Sequence, residues 1–220
     1  MANIQIGTAA GTTLGNPPSG DFYIFIDSDN ANAYTLRNSA GTDTILGSPN
    51  PATLYGLYSQ TANSATINTT GEQSIVGSGV GSLSIPADAF IVGDSFHAKI
   101  GGVLNATGGG GRSELIVKIK TGAIVLASTG VFDLDTATNQ GWECELDFTI
   151  ATIGATGSIC TNGNFAYVKD NDRKVSGYIF QDVQTIDTTI SNTLDITVEW
   201  NVLNAGDDIY SANCVLFKTY

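Results

Sequence analysis

Apolar and polar residues alternate through Leu194, Ile196, Val198 and Trp200, with Asp195, Thr197 and Glu199 between them. Side chains point to opposite faces along a strand, so this stretch predicts one buried face and one wet face. The same period runs through Trp142, Cys144, Leu146, Phe148 and Ile150, with Glu143, Glu145 and Asp147 on the other side. These two runs supply the expected core residues Trp142, Phe148, Leu194, Ile196, Val198 and Trp200. After a turn at Asn204-Ala-Gly-Asp-Asp208, the run Ile209–Tyr220 is expected to pair back as a hairpin and to lie centrally in a sheet, since untied termini fray. It places Ala212, Cys214 and Leu216 on one face and Val215 and Phe217 on the other. A two-layer sandwich covers only one face of a strand. Val215, Phe217 and Tyr220 are therefore the candidates for contact between subunits.

Strand patterns fill the rest of the chain from Leu54: 54–60, 65–69, 72–76, 81–85, 95–104, 113–120, 122–127, 142–153, 156–161, 164–168, 175–180, 193–203 and 209–219. Thr161-Asn-Gly-Asn164 is the sharpest hairpin signal, because Asn-Gly suits the positive φ angles of a type I′ turn. No segment carries a helical stripe and no repeat of 20–50 residues is evident. The spacing predicts an all-β antiparallel sandwich or barrel.

Upstream, Phe22–Ile26, Ala33–Arg37 and Thr42–Leu46 predict a small meander, too small to bury a core alone. Met1–Gly20 is small, polar and glycine-rich, readable as a flexible tail or as an arm that orders against another protein. Ile4, Ile6, Phe22 and Ile24 give residues 1–46 something apolar to bury. Gly47-Ser-Pro-Asn-Pro-Ala-Thr53 predicts a linker, since two prolines in three residues restrict both strand and helix. The expected organisation is an attachment segment 1–46, a linker 47–53 and a head 54–220.

Composition narrows the function classes. Apolar residues make up 42% of the 220 residues and charged ones 14%, which supports a packed core beneath a Ser/Thr/Asn/Gly surface. The net charge of −12 and the scattered Lys and Arg argue against nucleic-acid binding, which needs phosphate neutralisation. Cys144, Cys160 and Cys214 are odd in number and lack a C-x-x-C spacing, so a structural role is expected rather than metal ligation, with Cys144 and Cys214 in strand patterns as small buried hydrophobes. The N-terminus has no basic-then-apolar leader pattern, and no run reaches the ~18 apolar residues of a membrane helix. No membrane partner is expected.

The chemistry-bearing candidates are sparse. His97 is the one histidine, on the polar side of Ser95-Phe-His-Ala-Lys99, and predicts a surface or interface role rather than a catalytic base. Gly77-Ser-Gly-Val-Gly81 and Gly108-Gly-Gly-Gly111 lack the Gly-Lys-Ser/Thr ending of a phosphate loop. Glu143 and Glu145 sit two apart on one face, about 7 Å, a spacing inverting glycosidases use and solvated strands also produce. Asp27 and Asp29 suggest a turn, because Ala31 and Ala33 occupy offsets where a calcium loop needs oxygens. Asn68-Thr-Thr70 and Asn105-Ala-Thr107 match the glycosylation acceptor pattern incidentally. Neither an enzymatic activity nor a metal or cofactor is expected.

Asp187–Trp200, followed by Asp208-Ile-Tyr-Ser and Val215–Tyr220, resembles the closing signature of a jelly-roll domain in structural proteins of tailed phages and large DNA viruses. Ser84–Lys99 and Trp142–Ile150 continue the likeness, which covers most of the chain from about Leu54. Such domains are similar to trimeric heads of the tumour-necrosis-factor type. Phe22–Leu46 likewise resembles a short β module near the N-termini of phage fibre and virion surface proteins. The resemblance implies a homotrimeric structural protein of a virion, assembled in the host cytoplasm and docked to other virion proteins through its N-terminal segment. The alternative is a carbohydrate-binding module for host-surface glycans, with Tyr55, Tyr58, Tyr178 and Tyr210 as candidate stacking residues.

Overall fold

The structure is a computed structural model describing residues 4–9, 15–19, 21–27, 33–47, 57–108, 112–170 and 175–220. The chain divides into two units, Met1–Tyr55 and Gly56–Tyr220. Of the expected 47–53 linker, only Gly47 lies within the described residues.

The first unit is a four-stranded sheet in sequential order: β1 (Ile4–Ala9), β2 (Phe22–Asp27), β3 (Ala33–Asn38) and β4 (Asp43–Gly47). The three meander strands pair antiparallel as expected. The segment before them does not follow the tail reading. Ile4–Ala9 forms a strand parallel to β2, with Ile4 opposite Phe22 and Ile6 opposite Ile24. A parallel pair needs a connection of a dozen or so residues, and twelve residues separate these two strands in sequence. The alternation was too short to show in the glycine-rich surroundings. On one face of β2 and β3, Phe25, Thr35 and Arg37 are buried. The Arg37 guanidinium lies 5.6 Å from the Phe25 ring centroid and holds Asp43 through two 2.6 Å hydrogen bonds. Such planar bidentate pairing suits arginine. On the other face, Ile24 and Ile26 are half-buried and Phe22 is 41% exposed.

The second unit is a two-layer sandwich. Its strands are β5 (Tyr58–Gln60), β6 (Gln73–Ser74), β7 (Gly79–Gly81), β8 (Ser84–Ile85), β9 (Ser95–Ala106), β10 (Ser113–Thr121), β11 (Ile124–Ser128) and β12 (Phe132–Leu134). The longer strands β13 (Ala137–Thr152), β14 (Gly157–Val168), β15 (Val175–Ile186), β16 (Asn192–Val202) and β17 (Asp208–Lys218) follow. One sheet runs β15-β14-β13-β9-β17-β5-β7; the other runs β11-β10-β16-β6, with β12 beside β10 and β8 beside β16. Successive strands β9 and β10 lie in different sheets, as do β16 and β17, while β13 returns to pair with β9. All pairings within this unit are antiparallel. This crossing of strands between two layers is the jelly-roll order.

The core forms where the inner faces meet. Trp142, Phe148, Ile196, Val198 and Trp200 are all buried in it, beside Phe165, Ile100 and Leu115. Leu194, expected in the core, is only half-buried at its margin. Cys144 and Cys214 flank Ile100 in one inward-facing row and are fully buried. Burial raises both thiols, that of Cys214 to about 12, so neither is a thiolate at neutral pH.

Three expectations fail for instructive reasons. The closing run does not pair back as a hairpin: β16 and β17 lie in different sheets, because the chain crosses between the layers at residues 203–207. Asn162-Gly163 does not turn: β14 runs unbroken through it, paired to β13 and β15 on both sides. A Cβ at Gly163 would lie 2.6 Å from the Glu145 carbonyl oxygen, 2.7 Å from Leu146 Cδ2 and 2.9 Å from Phe180 Cε2. The glycine leaves room for those neighbours rather than reversing the chain. In β17, a bulge between Ser211 and Asn213 shifts the alternation, so Ala212 is exposed while Ile209, Ser211, Cys214 and Leu216 face inward. An extra residue in one strand produces such a shift. Gly102 admits the bulge, since a Cβ there would lie 2.0 Å from the Tyr210 carbonyl oxygen. Buried Ser211 is satisfied at the same place: its hydroxyl donates to Gln60, its carbonyl accepts from Gln60, and its amide donates to the Ser64 hydroxyl.

Candidate functional site

The outer face of the seven-stranded sheet gathers most residues singled out from the sequence. Cross-strand register aligns Ile179, Asn164, Glu145, Lys99, Val215, Ser59 and Val80 in one row spanning all seven strands. The next row holds Gln181, Asn162, Asp147, His97 and Phe217. Residues opposite one another in register share a face. The face therefore carries apolar groups toward both edges and a charged column through its middle.

β13 and β9 build that column. Lys99 Nζ reaches Glu145 at 2.6 Å and Glu143 at 3.0 Å. The Glu145 carboxylate raises the Lys99 pKa, with Glu143 adding to the effect, and the ammonium in turn lowers that of Glu145. A general acid needs a raised carboxyl pKa, the opposite of what the Lys99 ammonium does to Glu145. His97 Nδ1 is 3.0 Å from Asp147 Oδ1, and its ring centroid is 5.1 Å from that of Phe217.

Val215 and Phe217 sit on this face, half-buried against Lys99 and His97. Tyr220 is separate from them. It lies beyond the end of β17, is 80% exposed, and has its ring beside Gly93. The chain end is nevertheless tied down. The Thr219 amide donates to the Ser95 carbonyl, the Ser95 amide donates to the Tyr220 carbonyl, and Lys218 reaches Asp94 at 2.6 Å. β17 lies between β9 and β5, so the closing strand is central to its sheet.

At the opposite edge, β15 presents Ile179 (87% exposed) and Val183 (58% exposed) on the same outer face. The sequence did not single these out, although alternation with buried Phe180 and Ile186 carries the signal. Val80, on the short edge strand β7, is 67% exposed. Ile4 and Ile6 lie in register with Phe22 and Ile24, so the four attachment candidates occupy adjacent strands of one sheet.

Among the stacking candidates, Tyr58 is buried with its hydroxyl donated to the Gly77 carbonyl, which leaves no open ring face. Tyr178 is 4.3 Å from the Phe132 ring, and Tyr55 lies outside the described residues. No group of three or more His, Cys, Asp or Glu with metal-holding geometry occurs among the described residues. Comparison with protein-family models, with curated proteins and with solved structures finds no match for this chain.

Proposed function

We propose that this is a structural protein of a virus particle, a capsid-decoration, spike or fibre component that docks by its N-terminal unit and displays a trimeric jelly-roll head. The sequence resemblance supplies the virion setting and the number three. The observation that carries the assembly reading is the position of Val215 and Phe217. They lie on the outer face of the central strand β17, where one two-layer sandwich offers no covering layer. A second apolar strip, Ile179 and Val183, lies across the same face. Two different strips on one face suit a head-to-tail contact, which closes into a ring when the rotation allows. The face of exposed Phe22 and half-buried Ile24 and Ile26 supports docking through the first unit.

Light scattering on the purified protein tests the assembly: three chains of 22.9 kDa are expected, and a concentration-independent mass of one chain defeats it. Combined Val215→Asp and Phe217→Asp is expected to give folded monomers. Persistence of the trimer would move the interface elsewhere. Deleting residues 1–46 is expected to leave a soluble head that no longer joins particles, and normal incorporation would refute the docking role.

A further inference from the structure

One end of the sandwich holds a cavity of about 50 Å³ between the two sheets. Phe148 and Ile159 wall it from the seven-stranded sheet, Leu126 and Leu194 from the other, and Phe90 from the loop before β9. Of its thirteen lining residues, only Thr121 and Asn192 are polar. Their polar atoms are already engaged. The Thr121 hydroxyl donates to Asn192 Oδ1 at 3.2 Å, and Asn192 Nδ2 donates to the Asp187 and Ile190 carbonyls at 2.8 and 3.0 Å. Ordered water needs two to four polar partners, so a cavity of this kind stays dry and takes apolar guests. Most of the lining is buried, whereas Leu57, Leu83, Ile85 and Leu194 are half-buried and mark the opening.

We propose that this cavity is a binding site for the end of an unbranched alkyl chain bearing a neutral polar head. The volume is about a third of that of a cavity that takes benzene, hence room for about the last two carbons of a chain. Branched ends exceed this volume, and charged ends are disfavoured because no unpaired polar group lines the cavity to meet them. Beside the opening, the Ser84 and Thr193 hydroxyls lie 2.5 Å apart and the Ser191 hydroxyl donates to the Ile85 carbonyl. Hydroxyls there match an uncharged head left at the surface. The site is independent of the subunit contact and of the virion reading.

The test is a thermal-shift titration of the full chain with 1-hexanol and, in parallel, hexane-1,6-diol. The monoalcohol is expected to raise the melting temperature saturably, against the destabilising trend of alcohols. The diol is expected to produce no such rise, since its second hydroxyl would be buried without a partner. Leu194→Phe fills the opening and is expected to weaken 1-hexanol binding at least tenfold while retaining a cooperative melt. Leu83→Phe, at the neighbouring position whose carbonyl accepts the Leu194 amide, repeats the block should the first variant fold poorly. Equal responses to the two alcohols, no saturable response in the wild type, or undiminished binding in a folded blocked variant would each overturn the proposal.

Discussion

The Trp200 indole nitrogen donates to the Ile67 carbonyl over 3.1 Å, and the same carbonyl accepts the Ile209 amide at 3.1 Å. Trp200 belongs to β16 in the six-stranded sheet, whereas Ile209 belongs to β17 in the seven-stranded one. One buried oxygen therefore links the two layers, with Ile67 bridged to Ile209 and almost fully enclosed. Trp200→Ala is expected to cost about 3–5 kcal/mol through lost burial and a cavity. Trp200→Phe should cost less, about 1–3 kcal/mol, because the ring is retained but one hydrogen bond is lost. Urea unfolding of both variants checks the order. An unchanged midpoint for the alanine variant would contradict the packing.

Gly163 offers a second test, because turn and strand assign it different reasons for being glycine. A type I′ turn needs its positive φ; β14 needs only its missing side chain. Gly163→Ala is expected to destabilise by about 1–3 kcal/mol through overpacking against Leu146 and Phe180. Leu146→Ala in the same chain should recover part of that loss, measured as a coupling energy in a double-mutant cycle. Strict additivity of the two changes would argue against this crowding.

The contrast between Asn162-Gly163 and Trp142–Ile150 shows what the chain reveals by itself. Period-2 alternation over nine residues reports burial directly, so β13 and β16 were legible, and with them five of six expected core residues. A dipeptide reports only local permission. Asn-Gly permits a turn, but continuous pairing on both sides decides otherwise. The bulge at Ser211–Asn213 was likewise hidden, since it depends on Gly102 in a strand over a hundred residues away. The candidate site was partly legible: Val215, Phe217 and His97 follow from alternation, whereas their alignment with Glu145, Asp147 and Ile179 required the register of five strands.

The wet face of the six-stranded sheet makes a pH prediction. Lys118 and Lys120 hold Glu72 at 2.7 and 2.5 Å, and Lys118 also reaches Glu199 at 2.6 Å. Hydrogen bonds from Lys118 first, then Lys120, lower the Glu72 pKa to about 2. A carboxyl depressed in the folded state stabilises above its unfolded value near 4.5, and that contribution fades as pH falls toward 2. Partial exposure and salt screening reduce the effect to about 1 kcal/mol. Glu72→Gln should thus lower stability at pH 7 and flatten its fall between pH 4.5 and 2, as followed by urea midpoints across that range. An identical pH slope in the variant would show that other carboxylates govern the acid limb.

Thr161 carries the last prediction, and its sign is unusual. Its hydroxyl oxygen is buried without a hydrogen-bond partner, on the inward side of β14 opposite Phe148 and Asp182. A buried hydroxyl that loses water and gains nothing costs about 1–3 kcal/mol. Valine preserves the branching at Cβ and replaces the hydroxyl by a methyl of similar size. Thr161→Val is therefore expected to stabilise the head by about 1 kcal/mol, with little change in the denaturant slope. Thr161→Ser keeps the polar atom, removes a methyl and should destabilise, so the pair separates polarity from volume. Most substitutions in a packed core lower stability, which makes a rise in the urea midpoint for valine a discriminating outcome. A fall instead would mean that the hydroxyl finds a partner in solution, with an internal water the first place to look.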